Sequence, residues 1–150
     1  MDESEISLLD MTIRLLSAAG LAFVLGLERE LRGKPAGLRS HMLVSLGASA
    51  FIMMGMHILL ATAEGDPSAR IDPTRIVEGV VGGIGFLGAG CIIQSRGNVQ
   101  GITTGASIWI AGAIGVACGL GTLVLAGLLT GFALVTVVIL GRFEREVIED

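Results

Sequence analysis

Gly79-Val80-Val81-Gly82-Gly83-Ile84-Gly85-Phe86-Leu87-Gly88-Ala89-Gly90 decides how this chain is read. Glycine inside a water-exposed helix destabilises it by roughly 1 kcal/mol relative to alanine, so such a run in a soluble protein reads as a loop. Here the flanking residues are Val, Ile, Phe, Leu and Cys, with no polar turn formers. Lipid changes the meaning of glycine. Helix association there depends on close packing, and small residues let backbones approach. The glycines at 79, 82, 85 and 88 recur every third residue, and Gly79 and Gly83 form a GxxxG pair. A period of three drifts slowly around a helix, giving a wrapping smooth stripe, and Gly90 joins these residues as a helix-packing candidate. The expected role is helix packing; the competing role is a loosened helix whose carbonyls line an ion path.

Composition agrees with a bilayer as solvent. Of 150 residues, 52% are hydrophobic and 23 are glycine, and the mean hydropathy is +0.79. These values lie outside the usual soluble range. Five stretches approach the roughly 20 apolar residues needed to span hydrocarbon. They are Met11–Leu27, with an extension into Ile6–Asp10, then His41–Ala61, Ile76–Gln94, Ile102–Leu120 and Thr122–Gly141. Gly119-Leu120-Gly121 reads as a tight turn between the last two. The reading is an all-α polytopic transmembrane helix bundle of about five spans, with a membrane domain over 1–141 and a short cytoplasmic tail over 142–150. The acidic start is unlike a signal peptide, so the first span is expected to direct insertion.

Charge sets the orientation. Arg29, Arg32, Lys34, Arg39, Arg96, Arg142 and Arg145 fall on one side, against Arg70 and Arg75, or those two with Arg14, on the other. The positive-inside rule then places the N-terminus outside and the C-terminus in the cytoplasm. A single lysine and no broad basic patch argue against a nucleic-acid partner. Cys91 and Cys118 lie in apolar segments without metal-ligand spacing and read as packing residues. No metal, cofactor or catalytic constellation is legible: HExxH, Walker A and a strand-borne GxGxxG are all missing.

The remaining candidates are polar residues near span ends. Glu78 stands near the outer end of the third span, at the depth of Arg14 in the first. Ionisable groups at such positions are costly, so Glu78 reads as a wetted interface residue, a cation or proton site, or the ion-pair partner of Arg14. The segment from Glu28, Arg29 and Glu30 through Arg32, Lys34 and Pro35 to Arg39 forms a charged helix end, a turn and a new helix start, with Ser40 as the expected N-cap. His41 and His57 are expected at the two interfaces. The third loop, with Asn98, leads into Thr103 and Thr104, whose hydroxyls suit a helix start or an anion. Both loops are expected on one side, as a polar vestibule over the glycine helix. Trp109, mid-span, is expected to pack between helices and to need an N–H acceptor.

These residues resemble the MgtC/SapB membrane family. The resemblance rests on Gly26–Glu30, Gly33–Val44, Asp72–Ile76, Gly83–Gly90 and Val99–Trp109, in the family's order and across most of residues 10–140. It implies a multi-pass protein of the bacterial inner membrane linked to magnesium limitation, acid stress and survival in host phagocytes. Its expected partners are the lipid bilayer, further copies of itself as a homodimer or higher homo-oligomer, and a membrane complex such as the ATP synthase, which it would regulate. A cation transporter or channel using Glu78 and the glycine helix is the alternative. Many members add a cytoplasmic ACT-like domain, so a chain ending at Asp150 is expected to be a short form.

Overall fold

The computed structural model describes residues 6–65, 72–95 and 98–142. Five helices account for nearly all of it: α1 (Leu8–Leu31), α2 (Leu38–Gly65), α3 (Thr74–Gly90), α4 (Ile102–Gly119) and α5 (Leu123–Val135). The last continues through a π-helical segment, Thr136–Leu140, to Arg142. The protein is thus an all-α helix bundle, as its apolar runs predict. Four helices are long and apolar enough to cross a membrane. The fifth, α3, has 17 residues and is about 25 Å long, short of the roughly 30 Å hydrocarbon core.

Helix ends follow from local chemistry. Ser7 caps α1 by accepting from the Asp10 N–H at 3.1 Å. At the other end Gly33 adopts φ +62°, and the N–H groups of Gly33 and Lys34 bond back to the carbonyls of Glu30 and Arg29. That is a Schellman motif, which needs the left-handed conformation glycine tolerates. The same device closes α4. Gly121 has φ +78°, its N–H bonds to Cys118 and that of Thr122 to Ala117, so the expected α4–α5 turn is present.

The start of α2 and the end of α3 differ from the sequence reading. Ser40 is not the cap of α2, because the helix begins at Leu38 and the Glu30 carboxylate of α1 accepts the Leu38 N–H at 2.8 Å. A side chain distant in sequence does the capping, so no local signal marks it. Helix α3 stops at Gly90 rather than Gln94. Beyond it, Ile93–Ser95 and Asn98–Gln100 pair as a short antiparallel hairpin, with Gln94 opposite Val99. Gly101 then turns the chain into α4 with φ +88°, its α-carbon close against the Cys91 carbonyl. Of the charged residues used for orientation, Arg70, Arg96 and Arg145 lie outside the described residues, as does the tail beyond residue 142.

Helix α4 is the central element. It buries Thr104, Ser107, Ile108, Ala111, Ile114, Gly115 and Cys118 along one face. One cluster joins Ala18 and Leu25 of α1 with Ile114, Ala117 and Cys118 of α4 and Ala126 of α5. Glycines bring the backbones together. A Cβ on Gly115 would overlap the Ser45 carbonyl oxygen and stand 2.9 Å from the Ala48 Cβ; one on Gly119 would stand 2.7 Å from the Ser49 carbonyl oxygen. The large side chains that remain exposed, such as Leu16, Phe86, Val124 and Phe132, form the outer surface that a bilayer would cover.

At the start of α3 the Asp72 carboxylate accepts both the N–H (2.9 Å) and the hydroxyl (2.7 Å) of Thr74. These bonds hold its carboxyl below the ordinary carboxylate range. A depressed folded-state pKa contributes stability above the unfolded pKa and loses it as pH falls through the folded one. Acidification below about pH 4 is therefore expected to fray the first turn of α3. Protection of the Thr74–Val77 amides, taken relative to the intrinsic exchange rate at each pH, should fall over that range in the native protein but not in Asp72→Asn.

Candidate functional site

The ends of α1 and α3 and the starts of α2 and α4 meet at one end of the bundle, around a buried polar cluster. Arg29, 2% exposed, donates from Nη2 to Thr104 Oγ1 at 2.9 Å. His41 is fully buried. Its Nδ1–H donates to the Gly37 carbonyl at 2.7 Å, and its Nε2 lies 3.1 Å from Ser107 Oγ. The Ser107 hydroxyl also lies 2.8 Å from the Thr104 carbonyl, so its one hydrogen serves either acceptor. These contacts tie α1, α2 and α4 together within two turns of their ends.

A charged layer lies above the cluster. Glu28 and Arg32 form an i,i+4 ion pair, Nε to Oε1 2.5 Å, although no donor lies in line with either Glu28 oxygen. Such a contact is mainly coulombic. Glu30 is exposed yet fixed by the Leu38 N–H, and the approach is so close that a Cβ on Gly37 would overlap its carboxylate. Gly26 lies 2.8 Å, by its would-be Cβ, from the Leu38 α-carbon. The loop between α1 and α2 is thus held at both shoulders.

The candidate surface residues therefore divide into two groups. Arg29 and Thr104 are framework, sealed from solvent. Lys34, Pro35, Arg39, Asn98 and Thr103 are exposed at the same end, and Arg32 is half-buried. His41 is a correction: expected at the interface, it sits in the bundle. Only tertiary structure supplies its partner, Ser107, 66 residues away. The one sequence signal was Ser107 on the turn after Thr104.

At the opposite end Arg14 does not pair with Glu78. Its guanidinium binds Asp10 (2.7 Å) and donates to the Gly119 carbonyl (2.7 Å), resting over Gly121. An i,i+4 carboxylate and the carbonyl end of a helix are both favourable for a cation, and they engage its two terminal nitrogens locally. Glu78 is exposed. Nor does the glycine stripe pack as a unit. Gly88 meets Gly105 backbone to backbone, with the Gly105 Cβ position 2.7 Å from the Gly88 carbonyl, whereas Gly79, Gly82, Gly83, Gly85 and Gly90 have open space beyond them. Trp109 is 47% exposed and lies off the packed face of α4, so it does not pack between helices as its mid-span position suggests.

Among the described residues, no group of three His, Cys, Asp or Glu side chains could hold a metal ion. Cys118 is buried in the α1–α4–α5 core, the packing role its apolar surroundings predict.

Comparison with known proteins adds a family. The pattern of the MgtC family matches residues 15–146. SrpB of Synechococcus elongatus is 42% identical over 149 residues, covering 91% of this chain and 78% of SrpB. MgtC of Salmonella typhimurium strain 14028s is 43% identical over 109 residues, covering 73% of this chain and 43% of the relative. YhiD of Escherichia coli strain K12 is 40% identical over 112 residues, and the chain spans about half of its length, 52%. No solved structure matches.

Proposed function

From the premise that the chain belongs to the MgtC family, we propose that it is a regulatory protein of the bacterial inner membrane, serving adaptation to magnesium limitation or acid stress by contact with another membrane complex. The observation that carries this reading is the construction of the polar end. Lys34, Pro35, Arg39, Asn98 and Thr103 are exposed at the end of the bundle where the Arg29–Thr104 and Glu30–Leu38 bonds fix the frame. A preorganised polar surface loses little entropy on docking, which suits recognition of a partner. The excess of basic residues in the sequence at this end supports a cytoplasmic position for that surface. The ATP synthase is the partner the family resemblance favours. Small outward faces, including Gly82 and Gly85 of α3 and Gly127 and Gly131 of α5, suit association of copies in the membrane.

Transport is the rival reading, and one observation weighs against it. The glycines of α3 other than Gly88 open outward rather than into an internal path.

The test is a photo-crosslinker placed at Lys34 or Arg39 in growing cells. A specific membrane partner should be captured, and the adduct should disappear when Thr103 and Asn98 are replaced together. Overexpression should also change cellular ATP level or proton leak. Capture of no partner at either position, together with cation flux in liposomes that Glu78→Gln reduces, would replace regulation by transport.

A further inference from the structure

A groove of about 700 Å³ runs between α2 and α3 on the outer face of the bundle. Leu43, Gly47 and Phe51 of α2 form one wall, and Gly79, Gly83 and Leu87 of α3 the other. Its depth comes from side chains that are missing: Gly47, Gly79 and Gly83 have nothing within 4 Å of a would-be Cβ. Arg75 is the one charged residue in the lining, and it stands at one end.

Length, polarity and charge together identify an occupant. From Arg75 to Leu87 the groove follows α3 for about 18 Å, close to the roughly 15 Å of hydrocarbon in one leaflet. A spanning helix from a second copy would need about 30 Å and would overrun both ends. The walls are apolar throughout, and a guanidinium waits at the end that lies at the membrane surface. Among the described residues Arg75 has no salt-bridge partner. The nearby Asp72 carboxylate is taken up by Thr74, and Glu78 lies outside the lining. Guanidinium groups bind phosphate oxygens through paired N–H donors, and the bond is charge-assisted.

We propose that the α2–α3 groove is a phospholipid site: an acyl chain from the adjoining leaflet lies along Gly79 and Gly83, and Arg75 holds the anionic phosphate. The missing side chains of the glycine run then serve to seat a lipid. Arg75 stands at the end of the groove far from the polar cluster, so the site does not depend on the regulatory reading above.

The test is native mass spectrometry of the full chain, released from nanodiscs of phosphatidylglycerol or of phosphatidylcholine. One retained phospholipid per chain is expected, with phosphatidylglycerol preferred. Gly83→Leu fills the groove where space is open and replaces glycine with a stronger helix former, so the helix should persist, as circular dichroism will show. Lipid retention should fall about tenfold. Arg75→Gln should reduce phosphatidylglycerol retention about tenfold and phosphatidylcholine retention by less, because the choline ammonium already offsets the charge of the phosphate both lipids share. Gly79→Leu repeats the groove test should Gly83→Leu not fold. Absence of retained lipid in the native chain, or unchanged retention in the filled variants, would overturn the proposal. So would disulfide-linked dimers of Phe51→Cys forming in the bilayer, since they would put a second copy in the groove.

Discussion

Replacing Gly115 by valine is expected to remove about 3 kcal/mol of stability or more, enough to leave little folded protein. The α2 and α4 backbones touch at this point. The first carbon of any side chain would overlap the Ser45 carbonyl oxygen and crowd Ala48. Neither obstacle is the flexible tip of a side chain, so relief requires the two helices to separate. Separation would undo the packing of Ile108 against Ala48 and loosen the His41–Ser107 contact at the polar end. Gly127→Val is the control. Open space surrounds Gly127, and valine is slightly the better helix former, so its stability should equal or exceed that of the native chain. Denaturation in detergent, followed by circular dichroism and by the monodisperse fraction on size exclusion, measures both variants. Equal midpoints for Gly115→Val and Gly127→Val would refute the contact.

Thr104→Val should lower stability by about 2 kcal/mol while the neighbouring Thr103→Val changes it by less than about 0.5 kcal/mol. The two threonines share a residue type and a helix turn. Thr103 faces outward, whereas Thr104 is 3% exposed and accepts from the Arg29 guanidinium. Valine keeps the shape of threonine and removes the acceptor, so a buried cation loses a partner. Arg29 Nε is already without one, which leaves the site little means of compensation. Thr104→Ser, which retains a hydroxyl, should recover most of the loss. Crosslinking from Lys34 should weaken in Thr104→Val, because the loop between α1 and α2 is mounted on this bond. A similar loss in both valine variants would mean that the Arg29–Thr104 bond does not anchor the polar end.

Much of the fold is legible in the residues alone, for a physical reason. A bilayer demands about 20 apolar residues per helix and leaves no alternative to internal hydrogen bonding, so runs of Leu, Val, Ile, Ala and Gly declare α1, α2, α4 and α5 directly. Gly121 marks the α4–α5 turn because a left-handed residue closes the helix there. The site was less legible. Lys34, Pro35 and Arg39 could be placed on the same surface as Asn98 and Thr103 from the alternation of spans, but the side chains of Arg29 and Thr104, with the same chemistry, are internal. Exposure depends on which face of each helix meets its neighbours, and segments apolar on every side do not announce that face. Ser40 and Glu30 show a similar limit. Capping rules look a few residues ahead, and the cap of α2 comes from another helix.

The sequence by itself determined the solvent, the number and approximate ends of the helices, and the clustering of basic residues at one end, because these follow from hydropathy and charge counted along the chain. Only the tertiary structure decided the use of each glycine and each polar residue. Gly88, Gly105, Gly115 and Gly119 let backbones meet, while Gly79 and Gly83, in the run that first marked the chain as a membrane protein, hollow out a groove. Glycine permits close approach without specifying the neighbour. The neighbour is set by how five helices pack at once, and no local stretch of sequence contains that information.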